Sequence, residues 1–99
     1  MHFREAVRIH PDNPATQNAL GLAYGSKGEL EEASKHFMEA LRINPKDAGA
    51  RTNLGIARML QGRITDAIRQ FTEVLRVQPD YVPEQQNLQL ALKMNSTKR

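Results

Sequence analysis

Residues 36–47 read HFMEALRINPKD, and the same plan recurs at 2–13 as HFREAVRIHPDN and at 70–81 as QFTEVLRVQPDY. The copies start 34 residues apart, and Pro11, Pro45 and Pro79 fall on that interval. A fixed period of this length marks a repeat architecture in which each repeat is one supersecondary unit. Within the quoted stretch Phe37, Ala40, Leu41 and Ile43 lie at helical steps of three and four. Asn44 and Pro45 end the helix, because proline lacks the amide a helix interior needs and disfavours helical geometry in the residue before it.

Working outward, the chain from Pro14 divides into PATQNALGLAYGSKGELEEASKHFMEALRINPKD, AGARTNLGIARMLQGRITDAIRQFTEVLRVQPDY and a shortened third unit beginning VPEQQNLQLALKMN. Each complete unit reads as two helices and a turn. In the first, Leu20, Leu22, Ala23 and Tyr24 give apolar faces at helical spacing, and Gly28 ends the run where a left-handed residue is useful. The next helix carries Leu30, Ala33, Phe37, Ala40, Leu41 and Ile43. Asn13 before Pro14, and Asp47 before Ala48, suit the N-cap position. The spacing predicts six helices, near 1–10, 14–27, 30–44, 48–61, 64–78 and 82–95, with no strand.

These residues resemble the tetratricopeptide repeat family, whose signature is W-x2-L-G-x2-Y, then A-x3-F, then P. Leu20, Gly21, Tyr24, Ala33, Phe37 and Pro45 occupy it in the first unit; Leu54, Gly55, Ala67, Phe71 and Pro79 occupy it in the second. The resemblance covers nearly the whole chain. It implies an all-α fold, a right-handed solenoid of antiparallel helix pairs. In physical terms Gly21 and Gly55 let the two helices of a unit approach, Ala33 and Ala67 are small at the crossing, and Phe37 and Phe71 fill the space beside them. The departures are Gln17 and Arg51 in place of the tryptophan and Arg58 in place of the tyrosine. Arg51 and Arg58 share one helical face and suggest an anion site; the plainer reading packs their stems over the helix pair with both guanidinium groups in water.

The units then run as an incomplete repeat over 1–13, full repeats over 14–47 and 48–81, a capping helix over 82–95 and a disordered tail over 96–99. Gln89 replaces the close-packing glycine in the third unit, so a partner helix is not accommodated there. At the other end Phe3, Ala6 and Val7 face a partner absent from the chain. The chain reads as a C-terminal piece of a longer repeat protein, or as one whose N-terminal edge another molecule covers in a homo-oligomer.

Composition narrows the function. The 99 residues are 39% hydrophobic and 25% charged, in the range of one ordinary globular domain. No apolar run approaches the length of a membrane helix, and the N-terminus lacks the layout of a signal peptide. Without cysteine there is no disulfide, thiolate nucleophile or Cys-based zinc site, and the compartment stays open. The charge of +3 and pI near 9.6 make an acidic partner conceivable, but 14 basic residues are scattered among 11 acidic ones. Nucleic-acid binding would need a basic stripe with aromatic platforms, which is missing.

No phosphate loop, nucleophile elbow or dinucleotide fingerprint is present, so no enzyme is expected. His2 and His36 occupy equivalent places without a third ligand nearby, and both read as surface residues rather than a metal site. No cofactor is implied. Glu5 with Arg8, Glu39 with Arg42 and Glu73 with Arg76 read as solvated helix pairs, each contributing about 0.2–0.5 kcal/mol.

The resemblance also implies that the first helix of each unit lines a concave groove that receives a peptide or helix of a partner protein. Carried onto this sequence, the groove comprises Asn18 and Leu22, then Thr52, Asn53, Ile56 and Leu60, then Gln86, Asn87 and Leu90, flanked by Ala15, Ala19, Ser26, Gly49 and Met94. Leu22, Ile56 and Leu90 recur at the 34-residue interval and should form an apolar row. Asn53 and Asn87 could hydrogen-bond a ligand backbone. One branch of the family grips acidic chaperone tails with a clamp of lysines, arginine and asparagines. Only Asn53 matches it here, with Asn18, Leu22, Pro83 and Asn87 at the other places, so a chaperone-tail adaptor is not expected. The sequence therefore points to a protein-interaction module, with self-assembly, or an arm of a larger enzyme that regulates it or presents its substrate, as alternatives.

Overall fold

The computed structural model describes residues 13–97, which form five helices and no strand. They are α1 (Pro14–Ser26), α2 (Leu30–Ile43), α3 (Ala48–Leu60), α4 (Ile64–Val77) and α5 (Val82–Thr97). The helix expected near 1–10, with Phe3, Ala6 and Val7, lies outside the described residues. The ends of α1 to α4 fall within one residue of the sequence reading, whereas α5 continues through Ser96 and Thr97, where a disordered tail was expected.

Local chemistry explains the boundaries. Asn13 caps α1, its Oδ1 accepting from the Ala15 amide at 2.9 Å, with Pro14 supplying a helical φ at the first position. Asp47 caps α3 by accepting from the Ala50 amide at 3.0 Å. At the other end of α1, Gly28 has φ +79°, which lets the Glu29 amide reach back to the Tyr24 carbonyl at 3.0 Å. Gly62, at φ +82°, repeats this after α3, where the Arg63 amide reaches the Arg58 carbonyl.

The turns are short, so successive helices run antiparallel and pack in chain order. The first helices of the units also approach one another, α1 against α3 and α3 against α5, while the backbones of α2 and α4 stay further apart. The stack, 44 × 27 × 19 Å, is therefore closer on its first-helix side and bends toward it.

The core is distributed along the stack. Ala33 and Phe37 of α2 pack with Leu54 and Ala57 of α3, and Tyr24 and Leu41 lie against them. Ile64, Ala67 and Phe71 of α4 pack with Met59 and with Ala91 of α5; Ile56, Ile68, Leu88 and Met94 complete that cluster. Gly21 and Gly55 fulfil the role read from the sequence. A Cβ at Gly21 would overlap the Phe37 ring, and one at Gly55 would overlap that of Phe71.

Candidate functional site

The first-helix side carries almost no free charge. Helix α1 contains no Asp, Glu, Lys or Arg. The charged residues of α3 are Arg51 and Arg58, and those of α5 are Glu84 and Lys93. Arg51, Arg58 and Glu84 are engaged within the stack. On the second helices charges abound and pair locally: Lys35 with Glu32 at 3.2 Å, Arg42 Nε with Glu39 at 2.6 Å, and Arg76 with Glu73 at 2.6 Å. Arg42 and Arg76 hold the Glu39 and Glu73 carboxyls below their ordinary range.

Three residues of the expected groove are well exposed leucines: Leu22 at 55%, Leu60 at 64% and Leu90 at 48%. Gln86 is also exposed, and Asn53 and Asn87 are half-buried. Ile56 differs from its counterparts Leu22 and Leu90. It packs against the cluster around Phe71 and Ala91, because α5 lies over α3 at that point. The apolar row is thus interrupted in the middle, and Leu60, one turn further on, supplies the exposed leucine there.

Asn18 and Thr52 are spent on joining units. Asn18 Nδ2 donates to Oδ2 of Asp47 at 3.1 Å, tying α1 to the cap of α3, and its own Oδ1 is buried without a partner. One repeat later the Thr52 hydroxyl lies 2.6 Å from Glu84 Oε2 and 2.8 Å from the Ala48 carbonyl. Glu84 is fully buried, its Oε1 has no partner, and burial pushes its carboxyl pKa up, with the Thr52 hydrogen bond acting the other way. Sequence reading missed Glu84 because its burial is set by α3, some thirty residues away.

Two expectations need correction. The guanidinium of Arg58 does not reach water: the side chain is 10% exposed, with Nη1 donating to Gln61 Oε1 at 3.2 Å and Nη2 facing Met38 Sδ at 3.4 Å. Its Nε sits 3.0 Å from Asp66 Oδ2, but off the N–H direction, so that attraction is Coulombic rather than an aligned hydrogen bond. This arginine occupies the space that Tyr24 fills in the first unit. Nor is His36 a surface bystander. It is half-buried, stacked on Tyr24 with ring centroids 5.3 Å apart, and its Nδ1 lies 2.8 Å from Gln17 Oε1. Arg51 and Gln70 form the equivalent pair in the second unit at 3.1 Å. The polar residues replacing the signature tryptophan therefore bond across each helix pair.

Among the described residues no cluster of His, Asp or Glu could hold a metal ion, and no helix is long and apolar enough to cross a membrane.

Residues 23–62 match the family profile described as TPR repeat. No curated protein sequence matches the chain. Among solved structures, the first TPR of Spaghetti (RPAP3) bound to an HSP90 peptide superposes with a TM-score of 0.90 at 18% identity, covering 95% of this chain and 75% of that one. The Sgt2 TPR domain from Aspergillus fumigatus gives 0.87 at 21% identity, covering 95% of this chain and 64% of that chain, so this chain spans less than two thirds of it. A mutant O-GlcNAc transferase of Thermobaculum terrenum gives 0.85 at 28% identity, covering 91% of this chain and 17% of that one. Identities of 18% and 21% establish a shared fold. Residues 23–62 thus carry a tetratricopeptide repeat, and the 34-residue unit, its glycine–phenylalanine crossings and the helix-pair stack extend the same fold over the described residues.

Proposed function

We propose that the chain is a protein-interaction module whose first-helix face receives a short apolar or amphipathic segment of another protein, without catalysis. The observation that carries this reading is the contrast between faces. Exposed leucines Leu22, Leu60 and Leu90 stand on helices nearly free of available charge, whereas the second helices are covered with ion pairs. An apolar floor with a few amides, here Asn53, Asn87 and Gln86, suits an extended or helical segment. Asn18 and Thr52 shape this floor through their bonds to Asp47 and Glu84, and Ile56 supports it from within the packing. The fold shared with the first TPR of Spaghetti (RPAP3), solved with an HSP90 peptide, supports peptide binding in general. An acidic tail is not the favoured ligand, because the first-helix face lacks a cluster of free cations.

The test is to select peptides from a random library against the parent chain and measure their affinity for Leu60→Asp and Asn53→Ala. Both variants should keep the parent's denaturation midpoint, Leu60 being exposed, and should lose the selected peptides by about tenfold or more. If both retain every selected peptide at parental affinity, the first-helix face is not the binding surface. The likeness to part of an O-GlcNAc transferase supports a second reading, an arm of a longer enzyme that presents its substrate or regulates it. That arm would use the same face, so the two readings differ in what the chain is attached to.

A further inference from the structure

Where the α2–α3 turn meets the C-terminal half of α4, a cleft of about 260 Å³ opens at the edge of the stack, away from the leucines described above. Val74 and Val77 form one apolar wall, Val77 being 66% exposed, and Pro45 and Ala48 face them. The charged lining is Lys46, Arg51, Arg76 and Glu73. Glu73 is held by Arg76 through hydrogen bonds at 2.6 and 3.1 Å, so that pair is neutral and Lys46 and Arg51 remain.

Arg51 is the unusual member. Its guanidinium is partly buried and bonds to two neutral acceptors, Gln70 Oε1 and the Pro45 carbonyl, each at 3.1 Å. Among the described residues no carboxylate lies within ion-pair distance of it, whereas Arg58, seven residues on, has Asp66 at 3.0 Å. Arg51 feels the Glu73 carboxylate at longer range, but that carboxylate is held by Arg76, so a guanidinium whose hydrogen-bond partners are all neutral keeps a fork able to take a further carboxylate. The positions one repeat before and after Arg51 are Gln17 and Gln85, both neutral, so the middle junction alone carries this cation.

We propose that this cleft takes an acidic side chain of a partner protein presented beside an aliphatic residue, with the carboxylate toward Arg51 and Lys46 and the aliphatic group against Val74 and Val77. Charge complementarity selects the carboxylate. The valine wall selects a peptide over a bare anion. The surface is separate from the first-helix face and stands whether or not that face binds a partner.

The experiment is a titration of the whole chain, followed through the backbone amides of Lys46, Arg51 and Val77, with the blocked peptide Ala-Leu-Glu-Val-Ala and its glutamine counterpart. The glutamate peptide should shift these amides saturably and bind about tenfold more tightly than the glutamine peptide. Among the described residues the Lys46 side chain makes no hydrogen bond or ion pair, so Lys46→Glu should keep the parent's denaturation midpoint and weaken the glutamate peptide about tenfold. Arg51→Gln should remove the preference for glutamate. The proposal is overturned if the two peptides bind equally or shift none of these amides. It is also overturned if inorganic phosphate at the same concentration reproduces the shifts, or if Leu60→Asp, which alters only the first-helix face, abolishes them.

Discussion

In the first helix pair Phe37 lies over Gly21, and the Tyr24–His36 stack fills the adjoining space; in the second pair Phe71 lies over Gly55 in the same way, but Arg58 and Asp66 take the place of the stack. The glycine–phenylalanine contact is fixed by how closely the helices cross, and any side chain at the glycine would have to displace the ring. The neighbouring space is less demanding. It accepts an aromatic pair or a charged pair, provided the polar atoms find partners nearby, as they do through Gln17 in one unit and Gln61 in the other. The exchange has a different energetic character in each unit, because the stack is mostly dispersion and apolar burial while the ion pair must overcome desolvation.

The largest expected effect tests that asymmetry. Asp66→Ala should strand a guanidinium that is 10% exposed, costing about 3 kcal/mol in urea denaturation. His36→Ala removes a stack and one hydrogen bond and should cost about 1 kcal/mol. Equal losses would mean that the two fillings are energetically alike and that the charge in the second pair is solvated. The next effect tests what the pairs share: Gly21→Leu and Gly55→Leu should each overpack the crossing and cost about 2 kcal/mol. A cost at one glycine only would show that the frames differ after all.

The comparison also marks what was legible in the sequence. Asn13, Asp47, Gly28 and Pro45 act on residues next to them in sequence, and the glycine–phenylalanine pairs act within one unit, so their roles follow from spacing. The destinations of His36, Arg58, Asn18 and Glu84 depend on how helices cross or how one unit sits on the next, and a one-dimensional pattern does not carry that geometry. Ile56 shows the same limit. It repeats Leu22 and Leu90 in sequence, yet only Ile56 has another first helix on either side of its own, and so it alone packs inward. Of the expected groove, Leu22 and Leu90 stand on the 34-residue interval and are exposed, whereas Leu60 lies off that interval and the bonds of the polar residues between units follow no such pattern.

The two junctions between units differ as well, and the smallest expected effect comes from there. Asn18 meets Asp47 at the first junction, where the carboxylate is also a helix cap and is only half-buried. At the second, Thr52 lies between the Ala48 carbonyl and a fully buried Glu84. A hydroxyl has one proton, so it cannot donate to the carbonyl and to an ionised carboxylate together. A protonated Glu84 resolves this by donating to Thr52, which then donates to Ala48, and burial favours that form. The folded state thus holds this proton more tightly than the unfolded chain does. The contribution is whole below the ordinary glutamate value of 4.5 and is lost as pH rises through the raised one. Glu39 and Glu73, lowered by their arginines, act in the opposite sense, losing stability as pH falls below the ordinary value. As pH rises above the ordinary value of 4.5, then, the parent should lose more stability than Glu84→Gln, whose amide carries no titrating proton. Parallel curves would show Glu84 ionised throughout, and the second junction would then work like the first, through a charged carboxylate.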